Sequence, residues 1–462
     1  MRIEEKYVKS GYFWLPERSD NKIPGILTIK DGGNIELEII GSFDMSHTEF
    51  NDFDNINRIV GNVENDGYVT LENCFYIEKS HSFGGIDKSK IIAQQMYGGV
   101  AYDKDEKITF NTLLFSVDCI DEWIGISGFT NNNYLDLKTT TINYTQPENI
   151  IFQLDNGMQL EIYFTSRVPL GNRIKEIKIT QKAYFKLKSE ILKPFSDFRD
   201  IVYKITNFMC FAVDDTVSIK DVSATSIELQ RKMDEGKFYD IPIYIYYSSR
   251  PYSEKIPNKS WHQMLFTYGS IQSNAQDIFN NWLNAYDMLS PAIGLYFSTK
   301  TNSHKYLEGK FLALAQGLET YHRRTSDEKL MDINEFDSLV VNIIKKCPVE
   351  QQKWLQGRLK HGNEISFSKR LQLIIESFKE KFGNRDDRKR LIRKIVDTRN
   401  YFTHYDEDLK DKAATKGDEL WSICEIMEVI FQLHFLKVIG FNDKEIDNVI
   451  ENNHPLKEKL KN

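Results

Sequence analysis

Two spacings of apolar residues divide the chain. Up to about residue 250 they recur at every second position, and beyond about residue 270 at every third and fourth. The first spacing is clearest in Ile26-Leu-Thr-Ile-Lys30, then Asp31-Gly32-Gly33, then Ile35-Glu-Leu-Glu-Ile-Ile40. Alternation on both sides of a glycine-containing turn predicts a β-hairpin, with Ile35, Leu37 and Ile39 facing a core and Glu36 and Glu38 facing water. Comparable segments follow at 68–77, 108–117, 123–129, 149–154, 158–166, 176–180, 208–213, 217–222 and 241–248. Turn signals separate them, among them Asn156-Gly157 and Leu170-Gly171-Asn172. Many short strands with such turns predict a mainly-β, sandwich-like N-terminal domain. Helix is expected there only in short pieces, as near 189–205.

The alternation stops at Arg250. Pro251, Pro257 and the polar residues between them mark a connection. After a last apolar run at 264–268 the spacing becomes helical, which sets a domain boundary at 262/263. Ile278, Phe279, Trp282, Leu283, Tyr286 and Leu289 form one face of a helix over 275–290, which Pro291 is expected to end or kink. Leu307, Phe311, Leu314, Leu318 and Tyr321 mark a second over 305–324. Further helices are predicted at 334–346, 366–382, 385–403 and 420–439. Residues 263–462 thus read as an all-α helical bundle.

Composition narrows the function. The chain has 462 residues and a net charge of −7. Proteins that coat nucleic acid are basic overall, so an RNA-binding surface here must be a local patch. Its five cysteines include no CxxC pair and no two that are close in sequence, which argues against a zinc ribbon or a disulfide framework. Reduced thiols fit better. Met-Arg-Ile-Glu-Glu-Lys lacks the apolar core of a signal peptide, and no apolar run reaches the ~18–20 residues of a membrane span. A cytoplasmic protein is expected. No HExxH, DxD or Cys/His cluster points to a metal, and no cofactor is implied.

The densest chemistry lies near the C-terminus. Arg385, Arg388, Lys389, Arg390, Arg393, Lys394 and Arg399 fall on one segment with helical spacing. Charge runs are usually solvated helix faces. This one also suits phosphate steering, with Arg388, Arg390, Arg393 and Lys394 as candidate RNA-binding residues. It ends in Arg399-Asn400-Tyr-Phe-Thr-His404. Cleaving RNA by attack of its own 2′-OH needs a base, an acid and a fixed cation. Histidine titrates in the right range and arginine presents a planar fork to phosphate oxygens. Asparagine orients without titrating. On an ideal helix, however, five steps leave Arg399 and His404 about 140° apart, whereas Asn400 and His404 share a face. The Arg and the His converge only if the helix ends or distorts there, or if two chains share one site. Asp406-Glu-Asp408 resembles a loop, so the helix is expected to terminate near His404.

With these residues in place, the helical half resembles a HEPN domain, whose hallmark is Arg, a polar residue that is often Asn, and then His. Tyr405-Asp406 and the earlier Leu318-Glu319-Thr-Tyr-His322-Arg323-Arg324 resemble the ApeA-like branch. Gly11-Tyr-Phe-Trp-Leu-Pro16, Ile23-Pro-Gly-Ile-Leu27, Gly41-Ser-Phe43 and Trp123-Ile-Gly-Ile-Ser-Gly-Phe129 are similar to the ApeA N-terminal domain. The resemblance implies an anti-phage protein whose effector is a metal-independent HEPN endoribonuclease. It implies Arg399, Asn400 and His404 as catalytic residues, and Glu319 as a group that orients Arg399 or His404. It also implies an RNA substrate, a homodimer with the two strips facing one another, and a sensor role for the β domain towards a phage-derived trigger. His361 has no assigned role. The alternative is a non-catalytic RNA- or nucleotide-binding HEPN module joined to a β-sandwich interaction domain. Trp14, Trp123 and Phe129 are expected in the core. The loops at Phe83-Gly84-Gly85 and Tyr97-Gly98-Gly99 suit either a plain turn or close approach to a ligand.

Overall fold

The computed structural model describes every residue except 44–54, 81–84, 134–139, 170–174, 233–237, 301–303, 305 and 462. The expected turn at Leu170-Gly171-Asn172 and most of that at Phe83-Gly84-Gly85 lie outside the described residues. The chain divides into two units, Met1–Leu283 and Asn284–Asn462.

In chain order the strands are β1 (Tyr7–Trp14), β2 (Ile23–Lys30), β3 (Asn34–Ile40), β4 (Asn55–Val63), β5 (Gly67–Ser80), β6 (Lys88–Gly98) and β7 (Thr109–Val117). There follow β8 (Phe129–Asn133), β9 (Thr140–Tyr144), β10 (Ile150–Gln153), β11 (Gln159–Arg167), β12 (Thr180–Pro194), β13 (Ile219–Thr225), β14 (Gln230–Lys232), β15 (Phe238–Asp240) and β16 (Ile243–Tyr247). Helices α1 (Ile120–Ile124), α2 (Phe195–Val213) and α3 (Tyr268–Ile271) complete the first unit together with the start of α4 (Ala275–Ser298).

The β-rich expectation holds, and the pairing gives its form. β6, β3, β2, β1, β4 and β5 are neighbours in that order, and β5 pairs back to β6, closing an antiparallel barrel. Odd-numbered residues fill it: Phe13, Leu27, Ile35, Leu37, Ile59, Val69, Leu71 and Ile91 are buried together. A barrel this small is a packed core, not a channel. Two glycines allow the strands to approach. Gly11 and Gly25 face each other across β1 and β2, and a Cβ on either would lie 2.4 or 2.6 Å from a carbonyl oxygen of the next strand.

β6 belongs to two structures at once. Ser89–Ala93 pairs with β3 inside the barrel, while Gln95–Gly98 pairs with β16. From β16 an open antiparallel sheet runs through β13, β7, β12 and β11 to β10. Helix α2 covers this sheet against β7 and β12. Between them lies an aromatic core: Trp123 and Phe208 rings are 6.0 Å apart, Phe208 and Phe279 4.9 Å, and Phe211 stacks on Trp282 at 5.8 Å. Phe279 and Trp282 therefore belong to the first unit, and the division falls inside α4 rather than at 262/263.

Some expected strands are something else. The run 208–213 is the last part of α2, and 123–129 is the end of α1 with a turn before β8. Continuous apolar runs do not distinguish buried strand from buried helix. The run 176–180 meets a strand only at its last residue, Thr180. Trp14 and Trp123 are buried as expected, but Phe129 is 37% exposed. Tyr97 and Gly98 sit in β6, and only Gly99 turns, with φ of 94°.

The second unit holds the rest of α4, then α5 (Leu307–Thr325), α6 (Ile333–Lys346), α7 (Val349–Leu359), α8 (Phe367–Glu376), α9 (Arg385–His404), α10 (Gly417–Val438), α11 (Asp443–Asn452) and α12 (His454–Lys459). All six expected helices are present. Pro291 does not end α4. Proline leaves the carbonyl four residues back without its helical donor, and here the Ser290 hydroxyl donates to the Asp287 carbonyl at 3.4 Å. Helix α10 is apolar on nearly all sides and forms the centre, with Met427, Phe431, Leu433 and Leu436 buried. α5 lies close against it; a Cβ on Gly317 would meet the Phe431 ring at 2.7 Å. α6 and α7 form a hairpin tied at its root by Leu330 N–H to the Asn363 carbonyl at 2.9 Å, and neither helix buries a residue.

Candidate functional site

Helix α9 is specified at both ends. The Asn384 side chain accepts from the N–H groups of Asp386 and Asp387 at 2.8 and 3.1 Å, and Asp387 accepts from the Asn384 N–H at 3.0 Å. Such a cap contributes about 1 kcal/mol, and the acids face the positive end of the helix dipole. Ile392, Ile395, Thr398 and Phe402 form the buried face. The Thr398 hydroxyl accepts from the Ala414 N–H at 2.8 Å and ties down the segment after the helix. The helix ends at His404, as the acidic sequence beyond it suggests. Tyr405 caps it in the left-handed region, with φ of 52°.

Arg399 is held from two sides. Its guanidinium lies 4.9 Å from the centre of the Phe367 ring and 4.0 Å from Glu319 Oε2. A cation–π contact and a partly exposed ion pair contribute about 0.5–1 kcal/mol each, so they orient the group more than they anchor it. The side chain stays 31% exposed, leaving donors open. Glu319 also accepts from Arg323 Nη2 at 3.1 Å, and Arg323 Nη1 donates to Glu364 at 2.8 Å. Glu364 further accepts from Lys329 at 2.5 Å and from Arg370 at 2.6 Å. The Lys329 hydrogen bond, with the two arginines, keeps its carboxyl below the usual range. Arg370 is almost fully buried and donates to His322 Nδ1 at 3.1 Å. Burial and this guanidinium push the His322 pKa down, which suits a neutral acceptor. Alternating charges thus run from buried Arg370 to Arg399 through α8 and α5.

The histidine lies elsewhere. α9 is helical throughout Arg385–His404, so Arg399 and His404 stay about 140° apart around its axis. His404 is exposed, and Asn400 is half-buried. Among the described residues neither side chain has a hydrogen-bond partner. Their stripe also carries Arg393 and Asp397, paired at 3.6 Å. The structure therefore brings Arg399 to Glu319 and leaves His404 apart from both within one chain.

The four candidate RNA-binding residues separate likewise. Arg388 and Arg393 line a groove of about 560 Å³ between α8 and α9, together with Arg385 and Lys389. Arg388 donates to the carbonyls of Lys379 and Gly383 at 3.2 and 2.6 Å. Arg390 pairs with Asp387, and Lys394 pairs with Glu419 at 2.7 Å; neither lines the groove. Glu376 and Asp397 reduce the positive field there. His361 sits on the turn after α7. Phe367, Glu364 and Arg370 were missed by sequence reasoning, because nothing local ties residues 364–370 to Arg399.

No helix among the described residues is long and apolar enough to cross a membrane, and all five cysteines are free. Residues 9–282 match the family model for ApeA N-terminal domain 1, and residues 312–445 match that for Apea-like HEPN. No curated protein and no solved structure matches the chain. The first match alone spans more than half of the sequence, and the second covers α9, the helix that carries Arg399 and His404. The chain therefore belongs to the ApeA-like family, with an ApeA N-terminal domain ahead of an Apea-like HEPN domain.

Proposed function

We propose that this anti-phage HEPN protein is a metal-independent endoribonuclease acting through Arg399, Asn400 and His404. The observation that carries the reading is the state of Arg399. Its guanidinium is oriented by Phe367 and Glu319, is partly open to solvent, and lies on the helix whose last turn presents Asn400 and His404.

In this reaction the ribose 2′-oxygen forms a bond to the adjacent phosphorus while the bond from phosphorus to the 5′-oxygen breaks. His404 takes the 2′-proton and water protonates the leaving 5′-oxygen, giving a 2′,3′-cyclic phosphate and a 5′-hydroxyl. Arg399 stabilises the charge on the non-bridging oxygens. Asn400 orients the phosphate, and Glu319 positions Arg399. An Arg–His pair that does not converge on one helix calls for a second copy of the chain, hence a homodimer. The β-rich unit then serves as sensor for a phage-derived trigger and restrains the nuclease.

The test is cleavage of single-stranded RNA by the full chain in EDTA. The wild type should yield cyclic-phosphate ends, and His404→Ala should lose about 10²–10⁴-fold in rate. A metal requirement, or activity that survives the substitution, would sink the mechanism. One observation favours a second reading, a binding module without turnover: the open separation of Arg399 and His404. It expects RNA affinity that depends on Arg388 and Arg393 with no cleavage under any condition.

A further inference from the structure

A cavity of about 790 Å³ opens between the start of α5 and the last turn of α9. Tyr306, Tyr401 and Tyr405 line it, with His304, Glu308 and Phe402. We propose that this cavity is a subsite for one nucleobase of single-stranded RNA. The proposal rests on the nuclease reading for the identity of the polymer, and on the cavity itself for the chemistry.

Aromatic rings dominate the walls. Tyr306 is 77% and Tyr405 66% exposed. Tyr401 meets Tyr405 edge to face at 5.7 Å, and Phe402, buried, forms the floor against Phe311. Stacking on exposed aromatic rings is how single-stranded bases are held, whatever their sequence. The polar groups suit base edges: the His304 ring, the Glu308 carboxylate and the Thr415 hydroxyl. Among the described lining residues there is no lysine or arginine. The cations line the groove between α8 and α9 instead. Cationic and aromatic linings thus fall on two sides of one helix.

Position ties the cavity to the chemistry. Tyr401 precedes His404 by three residues and is its neighbour on the helix surface. A base stacked there places its own ribose beside the histidine. Tyr405 adds a second argument. It occupies a left-handed cap position at φ of 52°, where glycine or asparagine is favoured because a Cβ is disfavoured. The edge-to-face contact with Tyr401 offsets part of that cost, and the ring still leaves Tyr405 66% exposed and open to a ligand.

The experiment measures binding of a labelled single-stranded oligoribonucleotide to the full chain carrying His404→Ala, so that cleavage does not interfere. Tyr405→Gly should weaken binding about tenfold or more, the range for loss of one stacked base, while raising Tm because the backbone relaxes. Tyr306→Leu should weaken binding similarly, and Tyr405→Phe should keep it. An abasic oligomer of equal length should bind the wild-type cavity as weakly as the normal one binds Tyr405→Gly. Unchanged affinity in Tyr405→Gly overturns the proposal, as does equal binding of the abasic oligomer. So does a joint fall in affinity and Tm, since that marks a structural ring, or the absence of any RNA binding. Tyrosine-dependent binding in a wild-type chain that never cleaves RNA supports the subsite and refutes only the nuclease reading.

Discussion

Arg399 is aimed by contacts that are weak one by one. Its ring partner Phe367 opens α8 and its ion-pair partner Glu319 sits on α5, so small shifts of either helix would swing the guanidinium. Misplacement of about 1 Å can cost about a hundredfold in rate. Glu319→Gln and Phe367→Leu should each lower kcat by about 10–100-fold and change KM little, in steady-state cleavage of a short RNA. A change confined to KM would show that these residues hold substrate instead of positioning Arg399. At this scale the sequence was informative where chemistry is contiguous. Arg399, Asn400 and His404 stand within six residues and announce themselves. Phe367 precedes Arg399 by 32 positions with nothing polar to mark it, and only the packing of α8 on α9 brings it under the guanidinium.

Among the elements, α10 shows how a central helix carries charge. Its Glu428 is buried among Lys300, Lys310 and Lys459 at 2.8, 2.7 and 3.2 Å. Burial alone would raise the carboxyl pKa; the three lysines outweigh it and hold it at about 2. His434 lies between the rings of Tyr321 and Phe378, and its Nε2–H donates to the Ile374 carbonyl at 3.0 Å. Burial lowers its pKa to about 4 from an ordinary 6.5, against the pull of that hydrogen bond. The unfolded chain therefore binds a proton more readily, and stability falls as pH drops from about 6.5 towards 4. At pH 5 this histidine should cost about 2 kcal/mol of stability relative to pH 7, and His434→Gln should remove that part of the loss. Thermal unfolding of both chains at the two pH values checks this, and parallel loss in both would refute it. Helical spacing made α5, α6, α8, α9 and α10 legible because one face is usually buried, whereas α7, α11 and α12 went unread. Spacing does not say what buries that face: 334–346 reads as an amphipathic helix, yet Leu339 and Val341 of α6 stay exposed.

For the whole molecule, class was readable and closure was not. Alternation predicts strands one at a time, whereas the barrel depends on β6 returning to β5 and β3, a matter of pairing between distant segments. Gly11 and Gly25 were legible only as part of a family resemblance, and their reason is the carbonyl each must accommodate. The same limit applies to the candidate site. A regular helix keeps Arg399 and His404 about 140° apart, so the proposed active site takes its arginine from one chain and its histidine from another. That arrangement predicts complementation. Arg399→Ala and His404→Ala chains should each be inactive alone. Mixed and allowed to exchange, half of the dimers combine both variants, and each such dimer keeps one intact Arg–His pair and loses the other. Activity should return to about a quarter of the wild-type level. If each site were built within one chain, neither variant would hold an intact pair, and no mixture would recover. Recovery that vanishes when the variants are prevented from exchanging chains would locate the pair across the dimer.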